Sequence, residues 1–511
     1  MPVSLDPRMH APIRTQRARS AFRIALCVLC ALATLPACNQ PHVPDIAAIY
    51  TQAAQHHGPD RNPVIVIPGI LGSKLADDHG QGKLLWGAFG LQYANPDNPD
   101  DLRGLALPMT PGAPLSERTD NVRATGALDS VRVDILGLPV DVQAYAPILM
   151  TLGVGGYVDQ QLVEGGSLGP DYGDDHFTCF QFAYDWRLDN AQNAARLHDY
   201  ILDRKAYVES ELQKRYGHTE PVKFDLVAHS MGGLVARYML RYGDQPLPED
   251  GSLPDLNWAG AEHVEKVILV GTPSGGSVLS LKQLVEGSRF LPVIGDQYPA
   301  SLLGTMPAVY QLLPRARHER VVDADTHEPI DVLDPDLWTE RQWGLADPGE
   351  ARVLKRLLPD VASSEERQNI ALEHLRLCLQ QAQRFHAALD VPAELPDGVS
   401  LFLFLGDSEP TPEIVSVSQS RRVKTVETAP GDGTVSRNSA LLDERVGRAW
   451  TPYLSTPIDW TGVQFMFTDH LGLTSEARFA DNVLYLLLEA PRPGRGQLGA
   501  PAASPAPEPD A

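Results

Sequence analysis

The segment VKFDLVAHSMGGLVARYML, residues 222–240, is the feature that most limits what this chain can fold into. Its first half is mostly apolar, as in a strand covered on both faces, and its second half has the pattern of a helix. Ser230 stands where strand and helix meet, on a sharp turn whose backbone is strained. Such a turn needs small neighbours, and Ala228 and Gly232 occupy those positions of a G-x-S-x-G pattern with alanine as its first member. The segment therefore predicts a serine presented above the edge of a sheet.

Other short apolar runs are separated by longer helical patterns. Because strands that alternate with helices build parallel sheets, we predict an α/β fold with a mostly parallel central sheet and helices on both faces. The runs are residues 63–69, 179–186, 223–230, 265–273, 400–407 and 463–470. The main helical patterns cover residues 191–216, 232–242, 365–389 and 475–488.

Composition divides the remainder of the chain into segments. The strand runs place the core in residues 63–273 and 400–490. Residues 274–399 interrupt the rhythm with helical patterns, which we interpret as a cap or lid insertion; the alternative is an ordinary extra helical layer. The polar residues 38–62 predict a tether, and the Pro/Ala/Gly-rich residues 491–511 predict a disordered tail.

Residues 1–37 have the features of a targeting segment. Arginines precede an apolar run at residues 24–35 that is too short to span a membrane as a stable helix. The run ends in LPAC, which resembles a bacterial lipobox, so we expect signal cleavage before Cys38 and lipidation of its thiol; the alternative is an ordinary secretory signal. By the same resemblance, Asn39 favours the outer membrane. These features predict a lipid-anchored protein of the bacterial cell envelope, with the membrane surface as a partner.

Charge and motifs exclude several other classes. The formal net charge is −22, which argues against attraction to nucleic acid, and no nucleic-acid partner is predicted. The sequence has neither an HExxH metal motif nor a GxxxxGK[ST] phosphate loop, so no metal or cofactor is predicted. Cys27 and Cys30 fall in the targeting segment, and Cys179 and Cys378 are predicted to be buried free thiols.

A serine becomes a nucleophile when a histidine accepts its proton and a carboxylate orients that histidine. After a strand–serine–helix turn, the acid and then the histidine follow in chain order. His470, at the end of the last apolar run, is the candidate base, and Asp432, flanked by glycines in PGDGTVS, is the candidate acid. Asp407, which ends the run SLFLFLGD, is the alternative acid. His229 adjoins Ser230, but neighbours on a tight turn point in different directions, so we expect it to pack beneath the turn.

Two backbone N–H groups are candidates for binding a negatively charged oxygen. The N–H of Met231 lies at the start of the predicted helix, where backbone donors have no helical partner. The second donor in such sites comes from the loop after an early strand, and here we select Ile70 in PGILG. A simple strand-ending turn is the alternative interpretation of that loop.

Six stretches together resemble the lecithin:cholesterol acyltransferase family. They are PVIVIPGILGSKL (63–75), FAYDWRLD (182–189), LVAHSMGGLVARY (226–238), VGTPSGGS (270–277), PGDGTV (430–435) and DHLGL (469–473). The resemblance implies an α/β-hydrolase fold, a catalytic triad of Ser230, Asp432 and His470, and oxyanion donors at Ile70 and Met231. It also implies that residues 185–187 lie near the cleft, although a salt bridge at a strand end explains them equally well.

These observations predict a serine lipase, phospholipase or O-acyltransferase that acts through an acyl-enzyme on glycerophospholipid or neutral lipid esters. Two alternatives stay open at this stage. One is an esterase that acts on soluble esters, and the other is a non-catalytic lipid-binding envelope lipoprotein. The acyl acceptor, water or an alcohol, does not follow from the sequence.

Overall fold

The computed structural model describes residues 45–78, 82–87, 94–127, 130–135, 138–143, 145–164, 176–288, 298–419, 421–445 and 451–492. The chain divides into two compact units, Met1–Asp45 and Ile46–Ala511, and every element described below belongs to the second. The predicted targeting segment, Cys38 and most of the predicted tail lie outside the described residues. Across the described residues, no helix combines the length and the apolar character that a bilayer span requires.

The strands are β1 (Val64–Ile67), β2 (Ser73–Asp77), β3 (Leu84–Trp86), β4 (Val122–Ala127), β5 (Ser130–Ile135), β6 (Leu138–Gln143), β7 (Cys179–Gln181), β8 (Phe224–His229), β9 (Val264–Val270), β10 (Val321–Asp323), β11 (Ser400–Gly406), β12 (Glu409–Val417), β13 (Val423–Gly431) and β14 (Gly462–Met466). The α-helices are α1 (Ile46–Ala54), α2 (Pro99–Leu105), α3 (Ala146–Val154), α4 (Gln160–Glu164), α5 (Asn190–Tyr216), α6 (Met231–Tyr242), α7 (Val278–Glu286), α8 (Ala300–Leu303), α9 (Pro307–Tyr310), α10 (Pro335–Arg341), α11 (Ala351–Leu357), α12 (Ser364–Leu389), α13 (Arg437–Leu441) and α14 (Ala477–Leu488).

The central sheet contains six strands in the order β14-β11-β9-β8-β1-β7, and all neighbouring pairs are parallel. This confirms the predicted mostly parallel sheet. Alternate residues of each strand face opposite sides, so Val64 packs with α3 and α14, whereas Ile65 packs with α5 and α6. Since helices cover both faces of the sheet, most residues of the strands are apolar, which explains the nearly continuous runs in the sequence.

Local signals fix the ends of the long helix α5, which crosses one face of the sheet. The Asp189 carboxylate accepts hydrogen bonds from the N–H groups of Ala191 and Gln192 at the start. Gly217, with a φ of 66°, ends the helix in the left-handed conformation that glycine adopts without strain. The boundaries found, 190 and 216, therefore lie within one residue of the predicted pattern.

The predicted cap or lid segment, residues 274–399, connects β9 to β11, which are neighbours in the sheet. Its helices bury Leu281, Trp338 and Phe385 in the same hydrophobic cluster that contains Ile65 and Ile67 of β1. The segment is therefore at least a helical layer that shares the core. That this segment opens and closes as a lid remains a prediction.

Two predicted segment boundaries are wrong. Part of the predicted tether is the helix α1, whose buried Tyr50 donates its hydroxyl hydrogen bond to the Asp481 carbonyl of α14 at 2.9 Å. The predicted tail begins too early, because Arg492 forms ion pairs with Asp225 and Glu265 at 2.8 and 3.3 Å. A polar composition predicted the tether and a Pro/Ala/Gly-rich composition predicted the disordered tail, whereas long-range contacts hold Tyr50 and Arg492 in place.

We expect Arg492→Ala to lower the free energy of unfolding by about 3 kcal/mol, because it leaves two buried carboxylates without their cation. The Arg492 side chain is 11% exposed and that of Asp225 0%. Urea denaturation of the full chain measures the change. The matched control is Lys214→Ala on the exposed surface of α5, where loss of the pair with Glu211 should change stability by less than about 1 kcal/mol. Equal losses in the two variants would contradict this account of the chain end.

Candidate active site

Ser230 occupies the turn between β8 and α6, at the carboxyl edge of the central sheet. Its φ of 53° and ψ of −126° are a strained combination for a residue with a side chain, as predicted for a sharp strand-to-helix turn. The Ser230 N–H donates to the Val270 carbonyl of β9 at 2.8 Å, and the Ser230 carbonyl accepts from the Gly233 N–H at 3.0 Å. Backbone hydrogen bonds on both sides therefore hold the strain in place.

The two small residues beside Ser230 let the neighbouring backbones approach each other. A Cβ atom on Gly232 would lie 2.3 Å from the Pro68 carbonyl oxygen, so a larger residue would push α6 away from the loop after β1. Ala228 is fully buried on β8, in register with Ile67 of β1. Both residues have the positions that the sequence predicted.

His470 and Asp432 join Ser230 in one chain of hydrogen bonds. His470 Nε2 lies 3.0 Å from Ser230 Oγ, and His470 Nδ1 lies 2.7 Å from Asp432 Oδ2. With Asp432 ionised its oxygens only accept, so Nδ1 carries hydrogen and the lone pair of Nε2 faces the serine hydroxyl. The His470 N–H also donates to the Asp432 carbonyl at 2.9 Å, which fixes the two loops to each other. The structure therefore brings together the three side chains that the sequence selected.

The Asp432 carboxylate is buried, but several protein groups donate hydrogen bonds to it. Its Oδ1 accepts from the N–H groups of Thr434 and Val435 at 2.9 and 2.6 Å, and its Oδ2 accepts from His470. Burial raises the pKa of Asp432, but the charge of His470 and these hydrogen bonds outweigh burial and bring the pKa below its ordinary value. Asp432 therefore stays ionised beside the imidazole.

The alternative acid, Asp407, is engaged elsewhere. Its Oδ2 accepts from Arg437 at 3.0 Å, and its N–H donates to the Met466 carbonyl of β14 at 2.9 Å. Asp469, next to His470 in sequence, is exposed and accepts from the Gly472 N–H at 2.9 Å. Of these carboxylates, Asp432 is the one that contacts the imidazole.

Sequence reasoning missed two glycines that make room for the imidazole and the carboxylate. Gly271, with a φ of 59°, directly follows β9, and a Cβ added to it would lie 3.1 Å from Cε1 of His470. Gly406 ends β11 where an added Cβ would lie 2.5 Å from Cβ of Asp432. Each glycine directly follows the last apolar residue of a strand run, so its place in the sequence was visible, but not the side chain that it admits.

Several backbone groups of the loop after β1 are hydrogen-bonded, which bears on the predicted oxyanion donors. Within the described residues, no hydrogen bond is found for the N–H groups of Ile70 and Met231, whereas the N–H groups of Gly69 and Ser230, which precede them, do donate. An added Cβ on Gly69 would lie 2.7 Å from Cβ of Ser230, so this loop lies directly against the serine. The pairs that hold the loop are Gly69 N–H to Tyr145 Oη, Gly72 N–H to Gly69 O, Tyr184 Oη to Pro68 O, Trp86 Nε1 to Leu71 O and Trp186 Nε1 to Ser73 O.

Residues 185–187 stabilise this loop from below. The fully buried Arg187 donates to Asp185 Oδ2 at 2.7 Å and to both carboxylate oxygens of Asp120 at 2.9 Å. The ion pair holds Trp186, whose ring packs edge-on against Trp86 with 5.6 Å between the ring centroids. These residues support the loop without touching Ser230 or His470. The Asp185–Arg187 pair, a few residues after β7, agrees with the salt-bridge interpretation of this stretch.

His229 lies beneath the turn, as predicted, and is not placed to accept the serine proton. Its ring is buried, and its Nε2 lies 3.2 Å from the backbone carbonyl of His470. Its Nδ1 lies 3.1 Å from the hydroxyl of Tyr145, a residue that the sequence analysis did not single out. Burial, followed by the charge of His470, lowers the pKa of His229 to about 3, so the ring is neutral near pH 7.

Two apolar side chains are exposed near His470, whereas a large cavity lies elsewhere in the structure. Phe467 and Leu471, on the loop that carries His470, are 61% and 43% exposed. A cavity of about 1190 Å³ lies between α5 and α12 and is lined by both polar and apolar side chains, among them Gln192, Gln381 and Leu377. It does not reach Ser230, so we do not assign it to this site. The described residues contain no cluster of His, Cys, Asp and Glu side chains that could hold a metal ion.

We expect His229→Gln to reduce the pH dependence of stability. The lowered pKa keeps the folded ring neutral, whereas the unfolded chain takes up a proton below about pH 6.5, so His229 makes stability fall as the pH drops from about 6.5 towards 3. Without this histidine, the free energy of unfolding should lose about 1 kcal/mol less for each unit of pH. Urea denaturation at about pH 5 and about pH 6 compares the two slopes. Parallel slopes would show that His229 is not held neutral.

Comparisons with known proteins agree with this fold. The lecithin:cholesterol acyltransferase family model matches residues 172–390, a segment that contains Ser230 and ends before Asp432 and His470. The crystal structure of the Tle4-Tli4 complex is similar at 15% identity, with 83% of this chain and 98% of that chain covered and a TM-score of 0.51. EstA from Clostridium botulinum aligns at 14% identity, over 85% of this chain and 89% of that one, with a TM-score of 0.32. Among curated proteins, none matches the sequence. The family resemblance is therefore confirmed over residues 172–390, and the chain has the α/β-hydrolase fold.

Proposed function

We propose that this protein is a serine-dependent lipid acyl-ester hydrolase or O-acyltransferase that acts through an acyl-enzyme. One observation carries the proposal: the hydrogen-bonded chain from Ser230 Oγ through the His470 ring to the Asp432 carboxylate. In that chain a hydroxyl, an imidazole and an ionised carboxylate are aligned for transfer of the serine proton. The family match supports a hydrolase or acyltransferase in general terms.

The geometry suggests the following steps. His470 Nε2 takes the proton as Ser230 Oγ bonds to the ester carbonyl carbon, and Asp432 stabilises the resulting imidazolium. The carbonyl oxygen becomes an oxyanion, for which the N–H groups of Ile70 and Met231 are the available donors. His470 then gives the proton to the leaving alcohol oxygen, and an acyl-serine ester remains. Water or another alcohol attacks this ester with His470 as base, which releases the acid or a new ester and restores Ser230.

A lipid ester is the substrate class that fits the surroundings best. Phe467 and Leu471 expose apolar side chains on the loop that carries the base, and they offer contacts to acyl chains at a lipid surface. The proposed lipid anchor at Cys38 would keep the protein at a membrane, which an enzyme for soluble esters does not require. We assign the protein to the outer membrane of a bacterial envelope on the sequence features alone.

Ser230→Ala should lower the hydrolysis of a p-nitrophenyl ester by about 10⁴-fold or more, because no other described hydroxyl is bonded to the base. The variant should keep its thermal unfolding temperature, since the hydroxyl makes one partly buried hydrogen bond. Ser280→Ala, which removes a buried serine hydroxyl on α7, is the control and should retain its rate. A Ser230→Ala protein with near-normal activity would overturn the proposed function, and the non-catalytic alternative predicts no activity in any variant.

Replacing each candidate acid by asparagine in a separate variant distinguishes the roles of Asp432 and Asp407. Asp432→Asn should lower kcat by about 10⁴-fold, because an amide no longer holds the imidazole in the required tautomer. Asp407→Asn alters the contact with Arg437 and should change kcat by less than about tenfold. Steady-state kinetics of both variants on the same ester provide the comparison. The reverse order of effects would assign the acid to Asp407.

Activity on a short-chain phosphatidylcholine should rise when the lipid passes from monomers to micelles. Replacement of both Phe467 and Leu471 by serine should reduce that rise, because the exposed apolar contacts are lost. Tyr216→Ser, at the far end of α5 and 45% exposed, is the control for loss of an exposed apolar side chain. A hydrolysis rate that does not rise when the lipid exceeds its critical micelle concentration would instead support the alternative that the protein is an esterase for soluble esters.

A further inference from the structure

A buried hydrogen-bond chain connects the loop after β1 with the loop that carries His470. The Gly69 N–H donates to Tyr145 Oη at 2.7 Å, and Tyr145 Oη lies 3.1 Å from Nδ1 of His229. Nε2 of His229 lies 3.2 Å from the His470 carbonyl oxygen. Tyr145 is 3% exposed and His229 is 5% exposed, so water does not compete for these bonds. Two side chains thus bridge two loops that are 400 residues apart in sequence.

Each proton in this chain has one possible position. A carbonyl oxygen only accepts, so the hydrogen between His229 and His470 belongs to Nε2 of His229. In the neutral ring Nδ1 is then an acceptor, and it takes the hydroxyl hydrogen of Tyr145. The Tyr145 oxygen remains free to accept from Gly69. A chain with a unique arrangement of protons fixes the distance between its two ends more strictly than separate bonds would.

The surroundings leave Tyr145 little freedom to move. A Cβ atom on Gly72 would lie 2.7 Å from Oη of Tyr145, so the loop after β1 closes over the hydroxyl. On its other side the Tyr145 ring packs edge-on against His229, with 5.6 Å between the ring centroids. Gly69 in turn abuts Ser230, and the next residue carries the unpaired Ile70 N–H.

We propose that Tyr145 and His229 are positioning residues that hold the oxyanion donor of Ile70 and the imidazole of His470 in register with each other. This inference rests on the proposed function, because it assigns these groups a task in the same reaction. Neither residue touches the reacting atoms. They keep the Ile70 N–H and the His470 imidazole at a fixed separation while negative charge develops on the substrate oxygen and positive charge develops on the imidazole.

Tyr145→Phe tests the proposal because it removes the hydroxyl and keeps the ring. With a p-nitrophenyl ester, kcat should fall by about tenfold while KM changes by less than about twofold, since the loss affects the transition state more than substrate binding. Tyr310→Phe is the matched control: its hydroxyl is also buried and bonds to a backbone carbonyl, that of Gly304, away from this site. Its kcat should stay within about twofold of the parent protein.

His229→Gln provides a second, independent variant. A glutamine amide can still donate to the His470 carbonyl but no longer presents a ring nitrogen to Tyr145, so kcat should again fall by about tenfold. In a double variant the two losses should not multiply, because either substitution already breaks the chain. A merely structural role predicts multiplying effects, or a lowered unfolding temperature at unchanged kcat.

The proposal is overturned if Tyr145→Phe keeps the kcat of the Tyr310→Phe control, if His229→Gln alone leaves kcat unchanged, or if the two effects multiply. Failure of the positioning role can be told apart from failure of the proposed function. If only the positioning role fails, Ser230→Ala is inactive while Tyr145→Phe has normal activity. If the proposed function fails, Ser230→Ala itself retains activity.

Discussion

The site depends on a close backbone approach between the loop after β1 and the start of α6. Gly232 meets the Pro68 carbonyl and Gly69 meets Ser230 at distances that leave no room for a side chain on either glycine. This approach holds Ser230 in a strained conformation that it would not keep alone, and hydrogen bonds to β9 complete the restraint. Parallel strands make the approach possible, since the ends of β1, β8 and β9 lie side by side at one edge of the sheet.

His229 and His470 both lie close to Ser230, but their electrostatic environments differ. His470 faces an ionised, well-solvated carboxylate, which favours a positive charge on its ring during proton transfer. His229, with its ring centroid 4.8 Å from that of His470, has no carboxylate of its own and is kept neutral by burial. A charged ring so close to His470 would oppose formation of the imidazolium. The environment, rather than proximity to the serine, is therefore what favours His470 over His229 as the proposed base.

The sequence was sufficient for those parts of the site that local patterns encode. The strand–serine–helix turn, a glycine-flanked aspartate and a strand-terminal histidine each follow from neighbouring residues and chain order, and Ser230, Asp432 and His470 do lie together. Tyr145 could not be found in this way, because its hydroxyl gains its role only from Gly69 and His229, which are distant in sequence. The same limit explains the errors at α1 and Arg492. Local composition predicted a tether and a disordered tail there, and the contacts that hold these residues come from distant parts of the chain.

The central claim is that the hydrogen bond to His470 makes the Ser230 hydroxyl a nucleophile. Reaction of the folded protein with a fluorophosphonate, followed by mass spectrometry of its peptides, tests this claim most directly. The account predicts one phosphonylated residue, Ser230, and a labelling rate that collapses in a His470→Ala variant. A stable, folded protein that leaves Ser230 unlabelled, or that labels it equally fast without His470, would contradict the account.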